Sequence, residues 1–222
     1  MIEAKFKLTE ETINVNGKTL YRIEALKDFG NVKKGDKGGF IENENNLSQS
    51  GDCWVYGNAK VFEDARIYGN ARVLDNARVF DNAKVYGNAA IYCDAEVYGN
   101  AQVYGDAQVY GDAVVYDTAR VYDNAKVFGN AEIYDNAKVF GNAEIRGDAV
   151  ITNKSDYILF KNWWSSGRHF TWTKSNNMWK VGCFYGTGEE LIKEAYKDSE
   201  KSGREYERVV KYVEAILKAN KL

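Results

Sequence analysis

Proline is absent from all 222 residues, and histidine occurs once, at His169. A chain without proline keeps its backbone N–H groups free for a continuous β ladder. A single histidine leaves little with which to build a zinc site or an imidazole base, and no positioned carboxylate partner for His169 is evident. No metal, no cofactor and no catalytic residue is therefore assigned. Three cysteines, Cys53, Cys93 and Cys183, lie far apart with no CxxC, which suits a reducing compartment better than a disulfide framework. No apolar run approaches the roughly 18 residues of a membrane span, and Met1-Ile2-Glu3-Ala4-Lys5 does not open a secretory signal. A cytoplasmic protein is the expectation, with no membrane partner. The formal charge of -2 argues against a general nucleic-acid binder, which is normally basic.

The chain is dominated by a repeat. From Val55 to Ile151 an aliphatic residue stands at every sixth position, with an alanine two residues before each from Val61 onward. Cys53 takes the alanine slot ahead of Val55 and reads as a small buried filler. Such a period marks a solenoid, in which each unit is stabilised by stacking on its neighbours. Six residues cannot close a coil. Three hexads, 18 residues, make a triangular coil with the aliphatic pointing inward and alanine filling the narrowing corner. The Gly-Asn, Asp-Asn or Gly-Asp pair supplies each turn, since these residues tolerate a left-handed backbone. With coils about 4.8 Å apart, roughly five of them form a prism about 25 Å long.

These hexads resemble the hexapeptide-repeat left-handed β-helix, whose aliphatic and small positions Val61, Ala65 and their equivalents match. The resemblance implies a left-handed parallel coil and a homotrimer. That family is best known for acyltransferases, which place a histidine base in a cleft between subunits, often beside an inserted loop. This repeat has neither. It also departs from the family in carrying an aromatic ring after nearly every inward aliphatic. At an 18-residue coil the rings fall into columns, among them Phe62-Phe80-Tyr98-Tyr116-Tyr134 and Tyr68-Tyr86-Tyr104-Tyr122-Phe140. They serve either as ladders that hold neighbouring coils together or, in addition, as a contact surface between subunits, for which the Tyr68–Phe140 column is the candidate. A column after the alanines, Arg66, Lys84, Gln102, Arg120 and Lys138, is mostly basic. Glu63, Asp81, Asp117 and Asp135 at its own corners are expected to balance that charge.

Residues 1–52 do not repeat. Alternation around Lys5–Leu8 and Leu20–Ile23, with Asn16-Gly17 between, reads as a hairpin that caps the open end of the solenoid. The glycines of Gly35-Asp36-Lys37-Gly38-Gly39 are expected to make tight turns into the first coil. The repeat occupies 53–152. From 153 to 222 a small α+β module follows, with strands around 157–160, 168–173 and 178–184. A helix is capped by Thr187 and Glu190, and a second similar box falls at Ser202 and Glu205. The fold expected is thus mainly β, a single-stranded left-handed parallel β-helix with an N-terminal β cap and a C-terminal α+β domain.

The densest cluster of binding chemistry is Trp163 to Lys174, with three tryptophans, Arg168, His169 and four hydroxyls in twelve residues. Stacking planes with cations beside them are the parts of a nucleotide pocket, and Arg168, His169, Thr171, Trp172, Lys174 and Trp179 are its candidate residues. The same tryptophans are also what a small domain with little core volume uses. Leu20–Leu26, Gly35–Glu42 and Asn46–Ser48 running into Gly51-Asp52-Cys53-Trp54-Val55 are similar to YdcK-type hexapeptide proteins of bacteria, phages and prophages. Val181–Thr187 is similar to C-terminal modules of phage hexapeptide proteins. The resemblance implies a phage-linked context in a bacterial host and no established chemistry. By analogy, the expected function is a non-catalytic, trimeric binding protein that sequesters a small anionic, nucleotide-like signal or a host protein. The alternatives are an acyltransferase and a structural virion protein.

Overall fold

Asn16 and Gly17 both sit at positive φ, 52° and 83°, the backbone of a two-residue hairpin turn. They join β1 (Phe6–Val15) to β2 (Lys18–Ala25) in the computed structural model, which describes residues 4–219. β3 (Lys37–Ile41) pairs antiparallel with β2 and parallel with Lys60–Val61, so the cap is the first part of a solenoid face. Gly38 and Gly39 lie within β3 and make no turn there. A Cβ on Gly39 would meet the carbonyl oxygen of Ala59 at 2.6 Å, and one on Gly38 would meet Ile23 at 2.5 Å. Close backbone approach is their physical reason; of the expected turn glycines, Gly35 alone has positive φ, at 91°.

The repeat forms seventeen two-residue strands, β4 (Trp54–Val55) to β20 (Val150–Ile151), one every six residues. Each pairs in parallel with the strand 18 residues away, as Gln102 with Arg120 and Val103 with Val121. Three sheets result. One carries the cap and Val61, Val79, Val97, Val115, Ile133 and Ile151; a second runs through Val55, Val73 and Ile91 to Ile145; a third runs from Ile67 to Val139. The inward aliphatics and alanines are fully buried, from Val55 and Ala59 to Ala149 and Ile151, as is Cys53. This is a parallel β-solenoid of about six turns with an apolar, closely packed interior.

At all sixteen corners from Gly57 to Gly147 the positive φ falls on the first residue of the turn pair. Nine are glycine and five are aspartate, with Glu63 and Cys93 as the others. The open end of the solenoid is closed by side chains that reach exposed carbonyls. Asn46 Nδ2 donates to the carbonyls of Glu63 and Ala65 at 2.8 and 3.0 Å. Lys5 Nζ donates to that of Cys53 at 2.9 Å, and Arg22 Nη1 to those of Gly38 and Gly57 at 2.7 and 3.1 Å. An unpaired sheet edge is thereby blunted.

The described residues divide into two compact units between Asp156 and Tyr157. The second is an antiparallel meander of β21 (Tyr157–Lys161), β22 (His169–Thr173), β23 (Met178–Val181) and β24 (Phe184–Gly186), followed by α1 (Gly188–Asp198) and α2 (Glu200–Ala219). Thr187 and Glu190 form the expected capping box of α1. The second box is a correction: α2 begins at Glu200, so Ser202 and Glu205 lie inside it, and Ser199 Oγ accepts the N–H of Ser202 instead. Four apolar positions of the sheet, Phe170, Trp172, Trp179 and Val181, bury against Leu191, Val210 and Val213 of the helices.

Candidate functional site

Strand alternation decides which of the residues between 168 and 179 meet. On β22, Phe170 and Trp172 point toward the helices and into the core with Trp179. Trp172 stands opposite Trp179 across the ladder, and its Nε1 donates to Asn177 Oδ1 at 2.9 Å. His169 and Thr171 lie on the other face of the sheet, where Thr171 is opposite Lys180. Arg168 precedes the strand and runs beside Gly182, where a Cβ would come within 3.3 Å of its Cδ. Lys174 is exposed in the turn after the strand. Of the six residues read as one pocket, the structure brings Trp172 and Trp179 together, flooring a cavity of about 320 Å³. Arg168, His169, Thr171 and Lys174 do not line that cavity.

The loop before β22 is organised by Asn162, whose Oδ1 accepts the N–H groups of Trp164 and Ser165 at 3.1 and 2.9 Å. Trp164 packs against Phe170 and Tyr206, while Trp163 is 81% exposed.

The outer surface of the solenoid carries the expected ring columns. Tyr68, Tyr86, Tyr104 and Tyr122 stack with centroids 4.8–5.0 Å apart and planes within 4°, and Phe140 ends the column at 5.4 Å. The column starting at Phe62 is covered at its base, where Leu20 and Phe40 of the cap bury that ring. A third column, Tyr92-Tyr110-Phe128, ends under the Arg146 guanidinium. Burial pushes the hydroxyls of Tyr68, Tyr86, Tyr92, Tyr98 and Tyr122 up, and those of Tyr110 and Tyr116 to about 12, so these rings are neutral at physiological pH.

One outer face differs from the other two in charge. Its strands present Arg66, Lys84, Gln102, Arg120 and Lys138, with no acidic residue among them. On the other faces cations meet acids along the column, Arg78 with Glu96 at 2.7 Å and Lys126 with Glu144 at 3.9 Å. At Arg66, Lys84 and Arg120 the structure corrects the expectation that corner acids balance the basic column. Glu63, Asp81 and Asp117 instead accept backbone N–H groups one coil away, those of Asp81, Gly99 and Asp135 at 2.9, 3.0 and 3.3 Å. Arg66, Lys84 and Arg120 are exposed and make no ion pair with another described residue. Beside Arg66 and Lys84 runs an open trough that Asn82, Asn100, Gln102 and the single acid Asp64 complete. Sequence reading missed this because a corner acid three residues from a cation looks like its partner until the ladder shows where it points.

No group of three or more histidine, cysteine, aspartate or glutamate side chains among the described residues is arranged to hold a metal ion. No described helix is long and apolar enough to cross a membrane. Residues 65–80 match the family described as the YdcK beta solenoid repeat. No curated protein matches the chain.

Proposed function

We propose that this chain, whose residues 65–80 match the YdcK solenoid repeat, is a non-catalytic binding protein that holds a small anionic ligand against the outer face whose strands carry no acid. One observation carries the reading: Arg66, Lys84 and Arg120 stand exposed in one column with no ion-pair partner among the described residues. Cations in successive coils lie about 4.8 Å apart, a spacing that suits neighbouring phosphates of a nucleotide-like molecule, and Arg and Lys are the usual phosphate donors. Phenol hydroxyls of the Tyr68 column line the same face and supply polar contacts. The rings are stacked on one another, so their planes are not open to a base.

A homotrimer is part of the proposal. Tyr68 and Phe140 are 36% and 42% exposed at the two ends of that column, with half-buried rings between them, and a partly exposed ring stripe fits contact with a neighbouring protomer. The anion would then sit in a cleft between subunits. In the phage-linked setting of a bacterial host that the sequence resemblance implies, holding a nucleotide signal without turning it over is sequestration. Acyl transfer has less support, since the solenoid contains no histidine and His169 belongs to β22 of the other unit.

Calorimetric titration of the whole chain with linear and cyclic nucleotides, at low and moderate salt, tests the reading. Binding of at least one member should weaken with salt. It should fall about tenfold or more in the Arg66→Gln/Lys84→Gln double variant, a loss of about 1.4 kcal/mol, and stay unchanged in Arg168→Ala. The reverse pattern would move the site to the C-terminal unit. No binding by any nucleotide would leave a protein partner or a virion scaffold. Native mass spectrometry of the same sample reads the oligomer.

A further inference from the structure

The cavity floored by Trp172 and Trp179 has a chemistry opposite to that of the solenoid face. Both indoles are 2% exposed, and Val210 and Leu217 of α2 add apolar wall. Its charged lining residues are Glu189 of α1 and Glu214 of α2, and no lysine, arginine or histidine lines it. Gly188 lets the start of α1 pack close against this wall, because a Cβ there would meet Val210 Cγ1 at 2.7 Å and Trp179 Nε1 at 3.3 Å.

The glutamates of the two helices sort by position. Glu194, Glu200, Glu205 and Glu207 each hold a lysine or arginine of their own helix, and Glu190 completes the α1 cap. Glu189 and Glu214, the two that line the cavity, make no hydrogen bond or ion pair with a described residue, although Glu214 lies near enough to the Lys211 ammonium to help raise its pKa. The Trp179 side chain is almost wholly buried, but its indole N–H makes no hydrogen bond to a described residue and opens into the cavity. The positive end of α1 also faces this region, but the Thr187–Glu190 box already occupies it and adds a carboxylate.

We propose that this cavity binds a small organic cation. Its ammonium group sits between Glu189 and Glu214, where attraction to the two carboxylates and to the electron-rich indoles adds together. Its apolar body rests against Trp172, Val210 and Leu217, and an oxygen acceptor on the ligand takes the Trp179 N–H. The site is independent of the anion face and does not rest on that reading.

The test is a titration of the whole chain, observed at the Trp179 indole N–H by nitrogen–proton correlation NMR and assigned through Trp179→Phe. The ligands are butylammonium, choline and acetylcholine, each beside its uncharged counterpart: butanol, 3,3-dimethylbutanol and 3,3-dimethylbutyl acetate. The ammonium ions should move the resonance saturably, with acetylcholine, which carries an acceptor oxygen, moving it furthest. The uncharged counterparts should bind about tenfold more weakly or worse. Glu189→Gln/Glu214→Gln should lower cation affinity about tenfold while leaving the thermal midpoint unchanged, which separates ligand recognition from folding. Equal binding of charged and uncharged members, an unaltered affinity in the double variant, or no shift by any ammonium ion would each overturn the proposal.

Discussion

Asp81 Oδ2 accepts a hydrogen bond from the backbone N–H of Gly99 at 3.0 Å, one coil further along the same corner. The same link joins Asp75 to Cys93, Asp117 to Asp135 and Asp123 to Gly141. Aspartate at a corner thus does two things: it tolerates the left-handed backbone and ties its coil to the next. Asp81→Ala should lose the hydrogen bond and place alanine at a φ of 56°, for a cost of about 2 kcal/mol. Asp81→Gly loses only the hydrogen bond and should cost about 1 kcal/mol less. Urea denaturation of the pair reads the ordering, and a more stable alanine variant would contradict it.

Val114 and Val115 are neighbours in one two-residue strand, but Val115 is fully buried inside the coil and Val114 faces outward. Val115→Ala should destabilise by about 2 kcal/mol through lost burial and the cavity left behind. Val114→Ala should stay within about 0.5 kcal/mol. Equal effects in thermal or denaturant unfolding would contradict the inward register.

Lys5 is 1% exposed, with its ammonium on the Cys53 carbonyl at 2.9 Å and 5.0 Å from the Phe29 ring centre. Burial lowers its pKa and raises that of Cys53. Lys5→Met keeps the stem but orphans the carbonyls of Gly51 and Cys53, and should cost about 1–3 kcal/mol. Cys53→Ala, which installs the residue used at the other corners, should cost about 1 kcal/mol or less. Equilibrium unfolding of both variants tests the contrast.

The ring columns make stability depend on alkaline pH. Tyr110 and Tyr116 titrate near 12 in the folded chain, against an ordinary value of 10.0. Between those values the folded state binds more protons than the unfolded state, so stability is full below pH 10 and is lost as pH rises toward 12. The melting temperature should fall across that window. Ultraviolet titration should show tyrosinate forming near pH 10 in denaturant and later in the folded protein; coincident curves would contradict the shift.

Much of the framework was legible in the residues. Asn16-Gly17 announced the hairpin, the six-residue period announced an 18-residue coil, and Thr187 with Glu190 announced the start of α1, because each signal is local or strictly periodic. The candidate site was legible only in part. Trp172 and Trp179 were both singled out and do meet, but Arg168, His169, Thr171 and Lys174 are turned elsewhere by strand alternation. Glu189 and Glu214 carried no signal at all, since 24 residues of helix and turn lie between them and only helix packing sets them at one cavity.

By itself the sequence determined the coil, its apolar interior and its outer ring columns, because a period locked to 18 residues places like side chains above like without reference to any other part of the chain. Tertiary structure alone decided where the corner carboxylates point, and hence that Arg66, Lys84 and Arg120 remain without partners among the described residues. It alone decided, too, that two indoles and two glutamates share one cavity. Charge and hydrogen-bond pairing depend on distances of a few ångströms between segments far apart in sequence, and only the folded backbone sets those distances.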